Sequence, residues 1–340
     1  RRSGGWTFGS PSVLMMFHRT PGALEAELSE MDECMPHYYR VTNGHGRGAE
    51  QIMRAEALLL QCRFADAHIA LERARSTGPL QESMALCCDL LALRLSLFRN
   101  VSLPYTREQR NAGLVRQHNA AWLPIFYAIC AYYDALRGDT ERIPELFRLH
   151  LLDTVHILTP GRPMYDMIEN QVWLAQGEYA RLIGRSEALL AACARFALHV
   201  RIQTAAAYAQ LGKRAEAEAL LEQALTDAAP DGLILPFAEN YRYLAPLLEN
   251  RPDTQAIAEL GRLSEARRTR PAALAGLTPR ELELADLLAQ RLTNREIAGR
   301  LGLSEGSVKQ YLNQLYAKLH IDGDTRRKRQ ELAVLLKQPG

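Results

Sequence analysis

Long hydrophobic runs are missing from this chain. The longest uninterrupted apolar stretch, Ala120 to Tyr133, is 14 residues with Pro124 inside it, whereas a bilayer-spanning helix needs about 20. No signal peptide opens the sequence, so no membrane partner is expected and the expected compartment is the cytoplasm. The first residue is Arg rather than Met, as in an excised part of a longer protein. Cysteine is sparse: Cys34, Cys62, Cys87, Cys88, Cys130 and Cys193 form no C-x-x-C pair. Most lie in helical apolar patterns and read as reduced core residues rather than a disulfide framework. Cys34-x-x-His37, with His45 beyond it, is too thin a donor set for a metal site. Neither a metal nor a cofactor is expected.

Catalytic signatures are missing as well. The chain has no G-x-S-x-G, no H-E-x-x-H and no convincing nucleophile–base set, so no catalytic residue is assigned and an enzyme is not expected. There is no Gly-rich nucleotide loop. Gly212-Lys213-Arg214 lacks the glycine spacing and the Ser/Thr of a P-loop, so ATP is not expected to bind. Strand alternation holds nowhere for long, which points to an all-α protein.

What is present is a large apolar fraction and an uneven charge. The 340 residues allow two or more domains. An apolar content of 47% permits a sizeable core. Residues 262–340 hold 15 Lys+Arg against 9 Asp+Glu, a net +6, while the remainder holds 26 against 30, a net −4. A basic balance confined to the C-terminal part is what a nucleic-acid reader needs there and nowhere else.

The first 250 residues repeat themselves. A turn signal separates an Ala/Leu-rich helix from a charged amphipathic one at Gln61-Cys62-Arg63, Arg99-Asn100-Val101, Arg137-Gly138-Asp139, Gln176-Gly177-Glu178 and Leu211-Gly212-Lys213, with centres 38, 38, 39 and 35 residues apart. Helix pairs of this length cannot bury both faces alone, so neighbours are expected to stack into a superhelix. Small residues such as Ala206, Ala209 and Ala217 permit close helix approach. The inner surface of a superhelix is its default interaction surface, and Tyr127, Tyr132, Tyr133, Trp173 and Tyr208 are the ligand candidates there, beside the alternative that they are core. The aromatic- and Met-rich stretch from Trp6 to Gly48 reads as a capping segment, beside the alternative that it lines a ligand groove. From Arg262 to Gly276 the chain reads as a linker, with Pro271 stopping the preceding helix.

Residues Leu277 to Leu319 punctuate themselves as three short helices. Thr278 with Glu281 and Thr293 with Glu296 have the spacing of capping boxes, and Ser304 offers an N-cap after the turn Leu301-Gly302-Leu303. A helix, a tight Gly-containing turn and a second helix with a polar outer face form a helix-turn-helix pattern. In the last helix Val308, Tyr311, Leu312, Leu315 and Leu319 make one apolar stripe. Lys309, Gln310 and Asn313 fall off it. Lys suits guanine O6/N7, and Gln or Asn suits adenine N6/N7, so these three are the candidate base contacts. Thr293, Asn294, Ser304 and Ser307 sit at helix N-termini, where they are candidate phosphate contacts. Arg326 and Arg327, in the run Arg326–Arg329, join them.

This segment resembles the LuxR-type (GerE-like) helix-turn-helix. The residues that carry the resemblance are Leu277, Thr278, Arg280, Glu281, Leu287, Leu288, Asn294, Glu296, Ile297, Ala298, Leu301, Ser304, Glu305, Val308, Lys309, Leu312, Lys318 and Leu319. The resemblance implies that Lys309, Gln310 and Asn313 face the major groove. Tyr311 stands where the family usually has His. After Leu319 the chain departs from the family's usual start of a fourth helix, so the resemblance does not carry a dimer contact across. The helical repeats resemble degenerate tetratricopeptide repeats. Their combination with this C-terminal segment resembles the MalT-like regulators, whose upstream ATP-binding module is not in this chain. Asp231–Glu249 resembles the closing segment such proteins carry before their linker.

The expected architecture is a helical cap over residues 1–48, a tetratricopeptide-like α-superhelix over 49–261, a linker over 262–276 and a helix-turn-helix domain over 277–340. The expected function is transcription regulation, with double-stranded DNA as partner, self-association on DNA, and a small-molecule or protein effector on the repeats. The competing expectation is an interaction scaffold whose C-terminal domain docks protein.

Overall fold

The computed structural model describes residues 20–44, 46–78, 80–99, 101, 103, 105–117, 120–155, 162–192, 196–249, 251–268, 277, 279–290, 292–319 and 321–336. Every regular element among these residues is a helix, and none of them is long and apolar enough to cross a membrane. Contacts divide the chain into two compact units, residues 1–95 with 103–262 and residues 96–102 with 263–340.

The first unit begins with α1 (Leu24–Val41), α2 (Ala49–Leu60), α3 (Phe64–Ser76) and α4 (Glu82–Ser96). Then come α5 (Arg107–Arg116), α6 (Leu123–Arg137), α7 (Glu145–Arg148), α8 (Arg162–Gln176) and α9 (Tyr179–Ala192). It continues through α10 (Ala197–Gln210), α11 (Arg214–Ala228), α12 (Leu235–Glu239) and α13 (Tyr241–Leu248) into α14 (Gln255–Arg268). Helix α2 packs on α3, α6 on α8, α8 on α9, and α10 on both α9 and α11. Ala205, Ala206, Ala207, Ala217 and Ala224 are fully buried, which brings the α10 and α11 backbones close together.

The repeated turn has one geometry. After α2, α6, α8 and α10 the chain passes through a left-handed residue: Cys62 at φ 60°, Gly138 at 76°, Gly177 at 80° and Gly212 at 71°. In each case the next N–H reaches back five residues to a helix carbonyl. These bonds run Arg63 to Leu58 (2.8 Å), Asp139 to Asp134 (2.9 Å), Glu178 to Trp173 (2.9 Å) and Lys213 to Tyr208 (3.0 Å). This is the Schellman closure, which satisfies carbonyls the helix end leaves open. The fifth turn, at Asn100, lies outside the described residues.

In an open array each repeat touches only its neighbours. Here residues 231–249 do more. The Ile234 N–H donates to the Leu60 carbonyl at 2.8 Å at the end of α2. Arg94 of α4 holds Glu239 through two hydrogen bonds of 2.8 and 2.9 Å. Arg242 donates to the Arg137 carbonyl at the end of α6 (3.1 Å), Gln171 of α8 donates to Asn240 (2.8 Å), and Gln210 of α10 donates to the Tyr243 carbonyl (3.1 Å). The segment therefore lies along the side of the array formed by every second helix. Leu235 to Asn240 are all buried. The Asp231 carboxylate also accepts from the backbone N–H groups of Gly22 (2.8 Å) and Leu24 (3.1 Å), tying the start of α1 to the end of α11. Gly261 of α14 is required by close approach, because a Cβ there would overlap the ring of Tyr241.

Arg262 to Arg268 continue α14, and the rest of the expected linker, residues 269–276, lies outside the described residues. The C-terminal domain consists of α15 (Pro279–Ala289), α16 (Asn294–Leu301), α17 (Glu305–Lys318) and α18 (Thr325–Leu335). Its core gathers Leu277, Leu284, Ala285, Leu288, Ile297, Val308, Leu312, Leu315, Tyr316, Ile321 and Leu332.

Candidate nucleic-acid interface

Local chemistry starts and stops each helix of the C-terminal domain. At α16 the Thr293 hydroxyl accepts from the Glu296 N–H (3.3 Å) while the Glu296 carboxylate accepts from the Thr293 N–H (2.7 Å), a complete capping box. Those bonds hold the Glu296 carboxyl below its ordinary range, the Thr293 backbone contributing most. Gly302 at φ 64° ends α16, and the Leu303 N–H returns to the Ala298 carbonyl at 3.0 Å. The Ser304 hydroxyl caps α17 by accepting from the Ser307 N–H at 3.1 Å, and the two serine hydroxyls bond each other at 2.9 Å. Asp324 caps α18 by accepting from the Arg327 N–H at 2.8 Å. Thr278 of the other expected capping box lies outside the described residues. Its partner Glu281 is buried and pairs with Lys318 at 2.8 Å, joining the start of α15 to the end of α17.

On α17 the buried positions are Val308, Leu312, Leu315 and Tyr316, with Leu319 half-buried just past the helix end. Tyr311 was expected in this stripe and is instead 38% exposed. At about 100° per residue, Tyr311 and Tyr316 lie on opposite flanks of the stripe. The core reaches only the second flank, where Lys328 of α18 sits 5.7 Å from the Tyr316 ring centre. Burial raises the Tyr316 hydroxyl above its usual pKa, against the nearby Arg329 charge.

Lys309, Gln310 and Asn313 are all exposed. Helical geometry puts them within an arc of about 100°, centred well away from the buried stripe. Gly306, Gln314 and Ala317 are exposed on or beside the same arc. Gln314 is a donor and acceptor that sequence reasoning passed over, although its spacing from Gln310 marked it. Arg326 and Arg327 are exposed on the first turn of α18.

Two arginines brace α16. Arg280 of α15 donates to the Leu301 carbonyl at its C-terminal end (2.8 Å). Arg329 of α18 donates to the Leu292 carbonyl (3.1 Å) and to the Asn294 side-chain oxygen at its N-terminal end. The basic run is thus divided between outward-facing and inward-facing members, which its composition alone does not reveal.

Residues 275–333 match the luxR family of bacterial regulatory proteins. A luxR-type helix-turn-helix therefore forms the C-terminal part of the chain. The DNA-binding transcriptional activator DevR/DosR of Mycobacterium tuberculosis is 39% identical over 79 residues, covering 23% of this chain and 35% of that protein. The chain therefore spans about a third of the length of this curated relative. No solved structure matches the chain.

The ligand candidates of the first unit have separate surroundings. Tyr127, Tyr132 and Tyr133 share α6 but, by helical geometry, point to three different faces. Tyr132 is 3% exposed, and the Arg94 guanidinium lies 5.8 Å from its ring centre. Trp173 is 5% exposed. Its indole N–H donates to His150 Nδ1 at 2.9 Å, so His150 carries its proton on Nε2 and donates that to Glu178 at 3.1 Å. Arg185 and Arg181 stand 3.7 and 4.6 Å from the same indole. Tyr127, Tyr133 and Tyr208 are half-exposed. Around the thin Cys–His pattern, Cys34 is exposed and His37 Nδ1 is hydrogen-bonded to Arg40 at 2.5 Å, while His45 lies outside the described residues.

Proposed function

We propose that the chain is a DNA-binding transcription regulator whose luxR-type domain lays α17 in the major groove of double-stranded DNA. The observation that carries this reading is the exposed arc of Lys309, Gln310 and Asn313 on the second helix of a helix-turn-helix, opposite the buried Val308, Leu312, Leu315 and Tyr316. Lys309 offers a donor to guanine, and Gln310 and Asn313 offer paired donors and acceptors to adenine. Thr293, Asn294, Ser304 and Ser307 stand at the N-termini of α16 and α17, where they and the backbone N–H groups meet phosphates, and Arg326 and Arg327 extend that contact. The net charge of +6 over residues 262–340 and the likeness to the mycobacterial transcriptional activator both support the reading.

In this proposal residues 1–48 cap the first unit, and residues 49–261 form a tetratricopeptide-like, MalT-like receiver for a small-molecule or protein effector. Residues 262–276 tether the receiver to residues 277–340. Two copies associate on paired half-sites about one helical turn apart.

The test is a titration of the full chain against duplex DNA over a range of salt. Binding is expected to weaken steeply, with a log–log slope of roughly −0.9 per phosphate contact. A flat response, or no binding at low salt, rejects the reading in favour of a protein-docking scaffold. Lys309→Ala or Asn313→Ala is expected to remove roughly 1–3 kcal/mol of discrimination at one base pair. Equal weakening on every sequence would make that residue a phosphate contact instead.

A further inference from the structure

We infer that Arg329 is a positioning residue that turns the Asn294 amide into a phosphate donor, and that it is not itself a phosphate contact. The inference rests on the DNA-binding reading above and assigns a role within it.

Asn294 is the first residue of α16. A side-chain amide has one end that accepts and one end that donates, and only the donating end can serve an anion. Which end faces outward is set by the hydrogen bonds the amide makes. Here the Asn294 oxygen is taken by the Arg329 guanidinium, which cannot accept a hydrogen bond. The group left to face outward is the Nδ2 amide, with two N–H donors. The guanidinium is itself fixed, because its other terminal nitrogen donates to the Leu292 carbonyl at 3.1 Å. One planar side chain from α18 therefore grips both the turn before α16 and the first side chain within it, a use of the guanidinium fork that lysine cannot reproduce.

The backbone beside Asn294 has the same polarity. The capping box satisfies the N–H groups of Thr293 and Glu296. By position the N–H groups of Asn294 and Arg295 have no acceptor within the helix. Two backbone donors and the Nδ2 amide thus stand at one end of α16, where Arg295 is exposed. Arg329 itself is half-buried and directed inward, unlike the exposed Arg326 and Arg327.

The experiment uses the full chain and a duplex selected from a random pool. Asn294→Asp keeps the Arg329 contact, now as an ion pair, but replaces an outward donor by a carboxylate oxygen. It is expected to fold with an unchanged melting curve and to bind DNA at least about tenfold more weakly. Asn294→Ala and Arg329→Ala are each expected to weaken binding by a similar factor, and the double variant no further than Asn294→Ala alone. Replacing one phosphate of the duplex by an uncharged methylphosphonate is expected to abolish all of these differences. Binding of Asn294→Asp equal to the unsubstituted chain overturns the inference, and so do losses that multiply in the double variant. Failure of the unsubstituted chain to select any duplex overturns the DNA-binding reading itself.

Discussion

At position 62 a cysteine holds the left-handed backbone that glycine holds at 138, 177 and 212. The thiol is partly buried and its pKa is pushed up to about 12, chiefly by desolvation, so it is a poor nucleophile despite its place in a turn. Gly212 offers the clean measurement of what the turn requires, because a Cβ added there meets nothing within 4 Å. Gly212→Ala is expected to lose about 1 kcal/mol of unfolding free energy in urea titrations, purely from backbone strain. A second residue-scale prediction concerns His199. Burial, with the Arg94 charge adding to it, lowers its pKa from 6.5 to about 3. The unfolded chain therefore takes up a proton below about pH 6.5 that the folded chain refuses until about pH 3. The stability that follows from a neutral His199 is complete above about 6.5 and lost as pH falls toward 3, at up to about 1.4 kcal/mol per pH unit. Comparing unfolding of the native chain with that of His199→Met between pH 4 and 7 is expected to show the shallower slope in the variant.

At the scale of single elements, most of the C-terminal domain could be read from the residues. Capping chemistry is local, so Thr293, Glu296 and Ser304 announced the starts of α16 and α17, and Gly302 announced the turn between them. The polar arc on α17 followed from its periodicity, and the buried stripe opposite it was legible except at its edge. Tyr311 and Tyr316 flank the same stripe, and only the placement of α18 decides which flank is covered. Asp324 caps α18 where the usual family pattern is absent. Asp324→Ala is expected to cost about 1 kcal/mol, seen as a lower melting temperature of the C-terminal domain, with Lys309, Gln310 and Asn313 left in place. The fate of Arg329 was not legible, since neighbouring arginines have the same chemistry and differ only in direction.

For the whole molecule, the turns after α2, α6, α8 and α10 were legible because they recur at regular spacing. The course of residues 231–249 was not. Periodicity reports on residues within a turn or two of each other, whereas Arg94 and Glu239 are 145 positions apart. Their pair is 2% and 0% exposed, so removing one member leaves the other charge buried without its counter-ion. Arg94→Met is expected to lose about 3–5 kcal/mol of stability, and the double change Arg94→Met with Glu239→Gln to recover much of it. Equal losses in both would mean that packing, rather than the ion pair, holds the segment. Of the five aromatic candidates, Tyr132 and Trp173 are buried, and Tyr127, Tyr133 and Tyr208 are half-exposed.

The bond from Ile234 to Leu60 spans 174 positions. At translation rates of about 5–20 residues per second, the end of α2 waits roughly 10–35 s on the ribosome for its partner to be made. The early helices must remain soluble for that interval with one side uncovered. A chain truncated before residue 231 would hold that nascent state indefinitely, and is expected to aggregate where the full chain does not.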